Sequence, residues 1–352
     1  MKDDSSAEVK ISLEPVVKTT SPTKDSPSHR ANDGTKANLI NGLNLLGFFL
    51  SLSASYLGGI AGWFGGSTND ELNSKYKTLI TPSAAYYGYI WALIFLFEGF
   101  FAVAQLLPVY RRHPLVQRGV GPFFIVACVT QTIWQIFFGY ELLLAAAISM
   151  FALMISLLAI LMRQYSVIHD EEQKRIALID AGEISEEEAV DLTARPPTLS
   201  YWLLRFSFAL HAGWVTTSTP CVVAMAMMQL GMDVEYELWV SCISVPLIFG
   251  CCLGLLLREE MGIPSYVFSG TCSYAFAGIA WELYAPSTVI LGKHDEASIT
   301  LMKNLSGFCG ACILVVTFSR IVALFLRDQC KKLLKKEEVE EIDGAEYPYV
   351  KA

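Results

Sequence analysis

"TPSAAYYGYIWALIFLFEGFFAVAQ", residues 81–105, decides how this chain is read. It is apolar for about the 20 residues that a helix needs to cross the hydrocarbon core of a bilayer, yet it carries Trp91, Glu98 and Gln105 at seven-residue intervals. On a helix that spacing places all three on one stripe. An acid inside a membrane is expensive and faces a cavity or a partner, so the stripe predicts a helix with one face turned into a bundle.

Composition sets the solvent that this acid meets. Of 352 residues, 53% are hydrophobic and 17% charged, against roughly 25% charged in soluble domains, and mean hydropathy is +0.42. Apolar runs of spanning length occur at Leu39–Phe64, Ala84–Val109, Gly121–Tyr140, Leu142–Met162, Tyr201–Leu230, Leu238–Leu257, Ile263–Trp281 and Asn304–Val322. The expected fold is all-α, a polytopic membrane helical bundle of about eight transmembrane helices.

Basic residues orient the chain. With the N-terminus inside, the inner segments hold Lys24, Arg30, Lys36, Arg111, Arg112, Arg118, Arg163, Lys174, Arg175, Arg195, Arg258 and the Arg327 to Lys336 cluster, while the outer segments hold only Lys75, Lys77, Lys293 and Lys303. This positive-inside asymmetry predicts an even number of spans with both termini cytosolic.

Residues 1–38, rich in Ser, Thr, Pro, Lys and Asp, read as a disordered cytosolic tail. Ser21-Pro22 and Ser26-Pro27 are candidate phosphorylation sites within it. The cytosolic loop 163–200 reads as two helical stretches separated by Gly182, the second opened by a Ser185/Glu188 capping box. Residues 327–352 form a charged cytosolic tail, whose Lys331, Lys332, Lys335 and Lys336 suit anionic lipid.

The functional classes narrow by what the residues do not form. Eight of nine cysteines fall within predicted spans, where they pack as small apolar groups. No nucleophile elbow, phosphate loop or H-E-x-x-H is present, so neither an enzyme nor a bound cofactor or metal is expected. The net charge of −8 lies mainly in the tails and the 163–200 loop, and no nucleic-acid footprint is visible.

What remains are polar and aromatic stripes on three helices. Beside Trp91 and Glu98 stand Gln131, Trp134 and Gln135 at i, i+3 and i+4, and Ser207, His211, Trp214 and Ser218 at i, i+4, i+7 and i+11. Counting about 1.5 Å of rise per residue puts Trp91, Trp134 and Trp214 in one layer with the polar groups beneath. Trp63, Trp202, Trp239 and Trp281 lie nearer span ends and suit interfacial anchoring. For Glu98 two arrangements are open: a structural pair with Arg205, close in depth, or a titratable couple with His211 at a pocket.

"ITPSAAYYGYIWALIFLFEGFFAVAQ", "ACVTQTIWQIFFGYELLLAAA" and "LLRFSFALHAGWVTTST" resemble the second, third and fifth helices of the TspO family (tryptophan-rich sensory protein, or translocator protein), in particular its extended members with additional helices. The resemblance covers residues 39–229 as a five-helix core and, less distinctly, 238–283, with residues 238–326 supplying additional transmembrane helices. It departs from the family where Gln131 replaces an Asn and Leu210-His211 replaces Pro-Tyr. It implies a tryptophan-lined pocket for a hydrophobic small molecule, porphyrin or sterol-like, with Trp91, Trp134 and Trp214 as pocket residues, and the polar stripes beneath add Glu98, Gln131 and His211 to the candidate ligand-binding residues. The protein would act as sensor or carrier, with a homodimer as a further assembly. The rival is a proton-coupled secondary transporter that uses Glu98 and His211.

Overall fold

The computed structural model describes residues 38–184, 198–258 and 263–345, all within the unit Ala37–Ala352. No strand occurs among them, and a helix occupies each of the eight apolar runs. In chain order the helices are α1 Leu39–Ala54, continuing as a π-helical turn Ser55–Ile60, α2 Asn69–Lys75, α3 Ala84–Ala104, α4 Pro108–Arg111, α5 Phe123–Gly139 and α6 Leu143–Asp180. They continue as α7 Thr198–Leu204, α8 Phe206–Gln229, α9 Val234–Leu257, α10 Ile263–Glu282, α11 Thr288–Leu291 and α12 Glu296–Ala345. By length and composition α1 with its π turn, α3, α6, α9 and α12 are sufficient to cross a membrane.

The two helices that fall below that criterion despite adequate length, α8 and α10, do so for a physical reason. α8 is enclosed by α3, α6, α9 and α10 and buries residues on every side, Thr217 and Thr219 included. Its solvent is protein, so hydroxyls replace methyls at little cost. Thr217 donates to the Trp214 carbonyl (2.8 Å) and Thr219 to that of Val215 (2.7 Å). The outward faces of α9 and α12 instead carry exposed Trp239, Ile243, Leu247, Phe308, Leu314 and Phe318, the pattern of a lipid-facing surface.

Polar contacts set the helix register at each end. At the first, Asn38 and Asn41 cap α1 reciprocally, and the buried Asn44 donates to Gln105 at the end of α3 (2.9 Å). At the other, Thr68 and Glu71 form a capping box on α2, and Asn69 exchanges two hydrogen bonds with Gln135 of α5 (3.0 and 2.9 Å). Gly139 closes α5 against this end, since a Cβ there would stand 2.6 Å from the Phe64 carbonyl oxygen. Gly213 does the same for α8 and α10, where a Cβ would meet the Phe268 carbonyl oxygen at 2.6 Å.

Three boundaries differ from the sequence reading. The run from Tyr201 to Leu230 is two helices, broken at Arg205, and Gln164 takes the Leu204 carbonyl there at 2.7 Å. The first stretch of the 163–200 loop is no separate hairpin arm but the second half of α6, ending at Gly182 with a φ of 69°. The third concerns the prolines of the fifth and sixth apolar runs, Pro220 and Pro246, which could interrupt a helix, whereas α8 and α9 continue through them. The Ser21 and Ser26 sites and the Ser185/Glu188 box lie outside the described residues, as do the side chains of Lys331, Lys332, Lys335 and Lys336. Backbone α12 nonetheless extends through those lysines as one helix.

Candidate functional site

The three tryptophans sit where α3, α5 and α8 converge. Trp91 stacks on Trp134, with ring centroids 6.0 Å apart and planes 18° from parallel. Trp134 stacks in turn on Phe138, 5.4 Å away. Trp214, fully buried, meets Tyr87 edge-on at 6.1 Å. Gly213 permits this position, because it lets α10 approach α8 closely enough to seal the far side of the indole.

One cavity touches all three rings, with Tyr87, Phe138 and Met150 completing its apolar wall. Its volume is about 20 Å³, room for about one water. The indole N–H groups of Trp91, Trp134 and Trp214 are all buried without a hydrogen-bond partner. Buried donors are normally satisfied, so the cavity presents donors that a ligand carrying acceptor oxygens or nitrogens could take.

Glu98 and His211 lie immediately beneath. Both are 1% exposed, and His211 Nδ1 stands 2.7 Å from Glu98 Oε1. The imidazole also meets the Trp91 ring edge-on at 5.6 Å, so the pair is coupled to the tryptophan layer through direct contact. Glu98 Oε2 and His211 Nε2 are both buried without a partner. Of the two arrangements open in the sequence, the geometry has the His211 one: among the described residues no ion pair joins Glu98 to Arg205.

Not every candidate reaches the cavity. Trp91, Trp134 and Trp214 line it, whereas Glu98, Gln131 and His211 do not. Gln131 is buried one turn below Trp134, its amide nitrogen without a partner. Trp63, Trp202, Trp239 and Trp281 all turn outward.

A second buried acid was not singled out by the sequence. Glu237, in the first turn of α9, accepts the backbone N–H of Leu79 at 2.8 Å. His294 Nε2 stands 3.2 Å from the same oxygen, at ion-pair distance without hydrogen-bond alignment. Leu79 precedes Thr81 and Pro82, which line the cavity, so Glu237 anchors part of its rim. Glu141 was missed as well. It occupies a left-handed conformation (φ 56°) in the α5–α6 turn, where Lys75 (2.5 Å) and Tyr76 (2.6 Å) hold its carboxylate and Gln229 takes its carbonyl. The Lys75 ammonium first, and the Tyr76 hydroxyl second, keep that carboxyl below its ordinary value.

Fold and site together define an integral, multi-pass, all-α membrane protein with an aromatic layer in its interior. A family model described as TSPO-like protein matches residues 41–318, and the chain belongs to that family. No curated protein and no solved structure matches it.

Proposed function

We propose that the protein binds an apolar small molecule, tetrapyrrole- or sterol-like, between Trp91, Trp134 and Trp214, and acts as a sensor or carrier and not as an enzyme. The observation that carries this reading is the convergence of three indoles from three helices on one cavity, each with an N–H donor that has no partner among the described residues. Flat aromatic walls favour stacking, and the free donors favour a ligand with acceptors at its edge.

The size of the cavity adds a condition. At about 20 Å³ it is far below the roughly 300–1,000 Å³ of ordinary ligand sites. Binding therefore requires α3, α5 and α8 to part, and a ligand that separates them also moves the Glu98–His211 pair through Trp91. This coupling suits a sensor better than a passive carrier.

The second reading is a proton-coupled transporter, favoured by one observation, the buried Glu98–His211 pair in contact with Trp91. Both readings place the two termini on the cytosolic side, with anionic lipid at Lys331, Lys332, Lys335 and Lys336. Reporter tags at Met1 and Ala352 should respond from the same face, and opposite faces would remove a span. A second copy of the chain as partner is tested by cross-linking in native membranes.

Quenching of tryptophan emission by protoporphyrin tests the site. Saturable quenching is expected, and Trp134→Phe or Trp214→Phe, each losing one N–H donor, should weaken binding about fivefold. Trp91→Phe should weaken it at least as much, because it loses a donor and part of the stack on Trp134, and Trp239→Phe should leave it unchanged. Equal effects from all four would reduce the signal to partition into the bilayer. Proton uptake accompanying ligand movement in sealed vesicles, abolished by Glu98→Gln, would establish the transporter instead.

A further inference from the structure

Arg205 is the least satisfied charge in the described bundle interior. It is 8% exposed and sits at the one-residue break between α7 and α8. Its Nε is buried without a partner, and no ion pair or side-chain hydrogen bond to its guanidinium exists among the described residues. Arginines inside membrane proteins pair or line a wet cavity, because an uncompensated buried cation is costly. One turn earlier on the same face, Tyr201 is buried and its hydroxyl is also without a partner. Two donors of an anion site thus stand one turn apart with no anion supplied to them among the described residues.

The surroundings indicate where the anion comes from. Arg163 Nε donates to the Arg118 carbonyl (3.0 Å), and the next residue, Gln164, donates to Leu204 (2.7 Å). Arg118, Arg163 and Arg205 therefore stand at one height, at the end of the bundle that also carries Arg111 and Arg112. Beside Tyr201 lies an aromatic cluster in which Trp202 and Phe97 pack on Phe206 at 4.5 and 4.4 Å. Trp202 and Phe100 face outward from it. A phosphate entering here stands at the level of Arg163 and of Arg118, whose guanidinium holds Glu171, and meets on the other side an apolar surface open to lipid.

We propose that Arg205 and Tyr201 form a binding site for the phosphate of an anionic phospholipid, whose glycerol and acyl portion packs on Phe97, Trp202 and Phe206. The guanidinium fork matches phosphate oxygens in two parallel hydrogen bonds, and the tyrosine hydroxyl donates a third. The site is separate from the tryptophan cavity, and neither depends on the other.

The test compares full-length protein in nanodiscs of phosphatidylcholine with and without phosphatidic acid, read by thermal unfolding and by native mass spectrometry. Expected is a higher melting temperature with phosphatidic acid and one such lipid retained per chain. Arg205→Gln should lower that affinity about tenfold or more and, in phosphatidylcholine alone, should melt at or above the parent, because it removes an unpaired buried cation. Tyr201→Phe should give a smaller loss. A variant with Lys331, Lys332, Lys335 and Lys336 all changed to Gln should keep the retained lipid. Retention by Arg205→Gln equal to the parent overturns the proposal, as does loss of the lipid in the four-lysine variant. Equal protection by inorganic phosphate in detergent assigns the site to a soluble anion and overturns the lipid. Should Arg205→Gln fail to fold, the parent decides, and no difference between the two nanodiscs overturns the site.

Discussion

The described residues hold two buried carboxylate–histidine pairs, and they differ in what holds the acid. Glu98 and His211 project from two facing helices, and among the described residues the only hydrogen bond to the acid comes from the imidazole. Glu237 has a backbone amide as its principal partner, Leu79 N–H, with His294 beside it. The first pair links side chain to side chain and can rearrange when a ligand presses on Trp91. The second binds the main chain of one segment to the helix of another and can rearrange only if the loop moves. A buried acid on a backbone donor is a structural anchor, and one that meets only a side chain can be a switch.

The largest expected effect should break the comparison if it is mistaken. Glu237→Ala leaves the Leu79 N–H buried without an acceptor and His294 without its anion, so it should lower stability by about 3 kcal/mol, measured by thermal unfolding in nanodiscs. A loss no greater than that of Glu98→Gln would mean that the backbone anchor carries no special weight.

Glu98→Gln sharpens the other side. The amide oxygen can still accept from a neutral imidazole, so the loss should be about 1 kcal/mol. Combined with Arg205→Gln, the two changes should add within about 0.5 kcal/mol, because among the described residues no ion pair or hydrogen bond joins them. A double variant that regains the stability lost by either single one would restore the Glu98–Arg205 pair and remove the switch.

Glu141 supplies the smallest effect and a control lying outside both pairs. Its carboxyl is held below the ordinary 4.5 by Lys75 and then Tyr76, so folding favours the ionised form. The associated stability is complete at neutral pH, declines as the pH falls below 4.5, and is gone once the lowered folded value is passed. Glu141→Gln should therefore flatten the acid limb of the melting curve slightly and leave neutral-pH ligand binding unchanged. An unchanged acid limb would remove the ion pair from the account.

The legible part of the site was the part written in helical periodicity. Trp91 and Glu98 are seven apart, Gln131 and Trp134 three, His211 and Trp214 three, and those spacings survive folding because a helix preserves them. Azimuth between helices is not so preserved: axial rise alone sets Arg205 closer in depth to Glu98 than His211, and packing selects His211 instead. Glu237 was lost because an acid at the edge of an apolar run reads as the boundary of a span, one residue before Leu238. His294 and Glu141 belong to turns whose partners are 57 and 66 residues away along the chain, and nothing local marks them. The break at Arg205 has neither Gly nor Pro to announce it.

The anchor at Leu79 also bears on how far this molecule can be taken apart. Cutting after Gln229 would isolate the five helices that carry all three tryptophans, and such a fragment looks self-sufficient on paper. It would lack the Glu237 acceptor for the Leu79 amide, the Gly278 carbonyl that takes the Ser83 N–H (3.1 Å), and the Tyr274 hydroxyl that donates to the Tyr86 carbonyl (3.2 Å). All three contacts secure the strip of main chain from which α3 starts and on which Tyr87 and Trp91 are positioned. The later helices thus serve the earlier ones as a splint, and a minimal receptor is reached by redesigning that strip to stand alone, not by truncation.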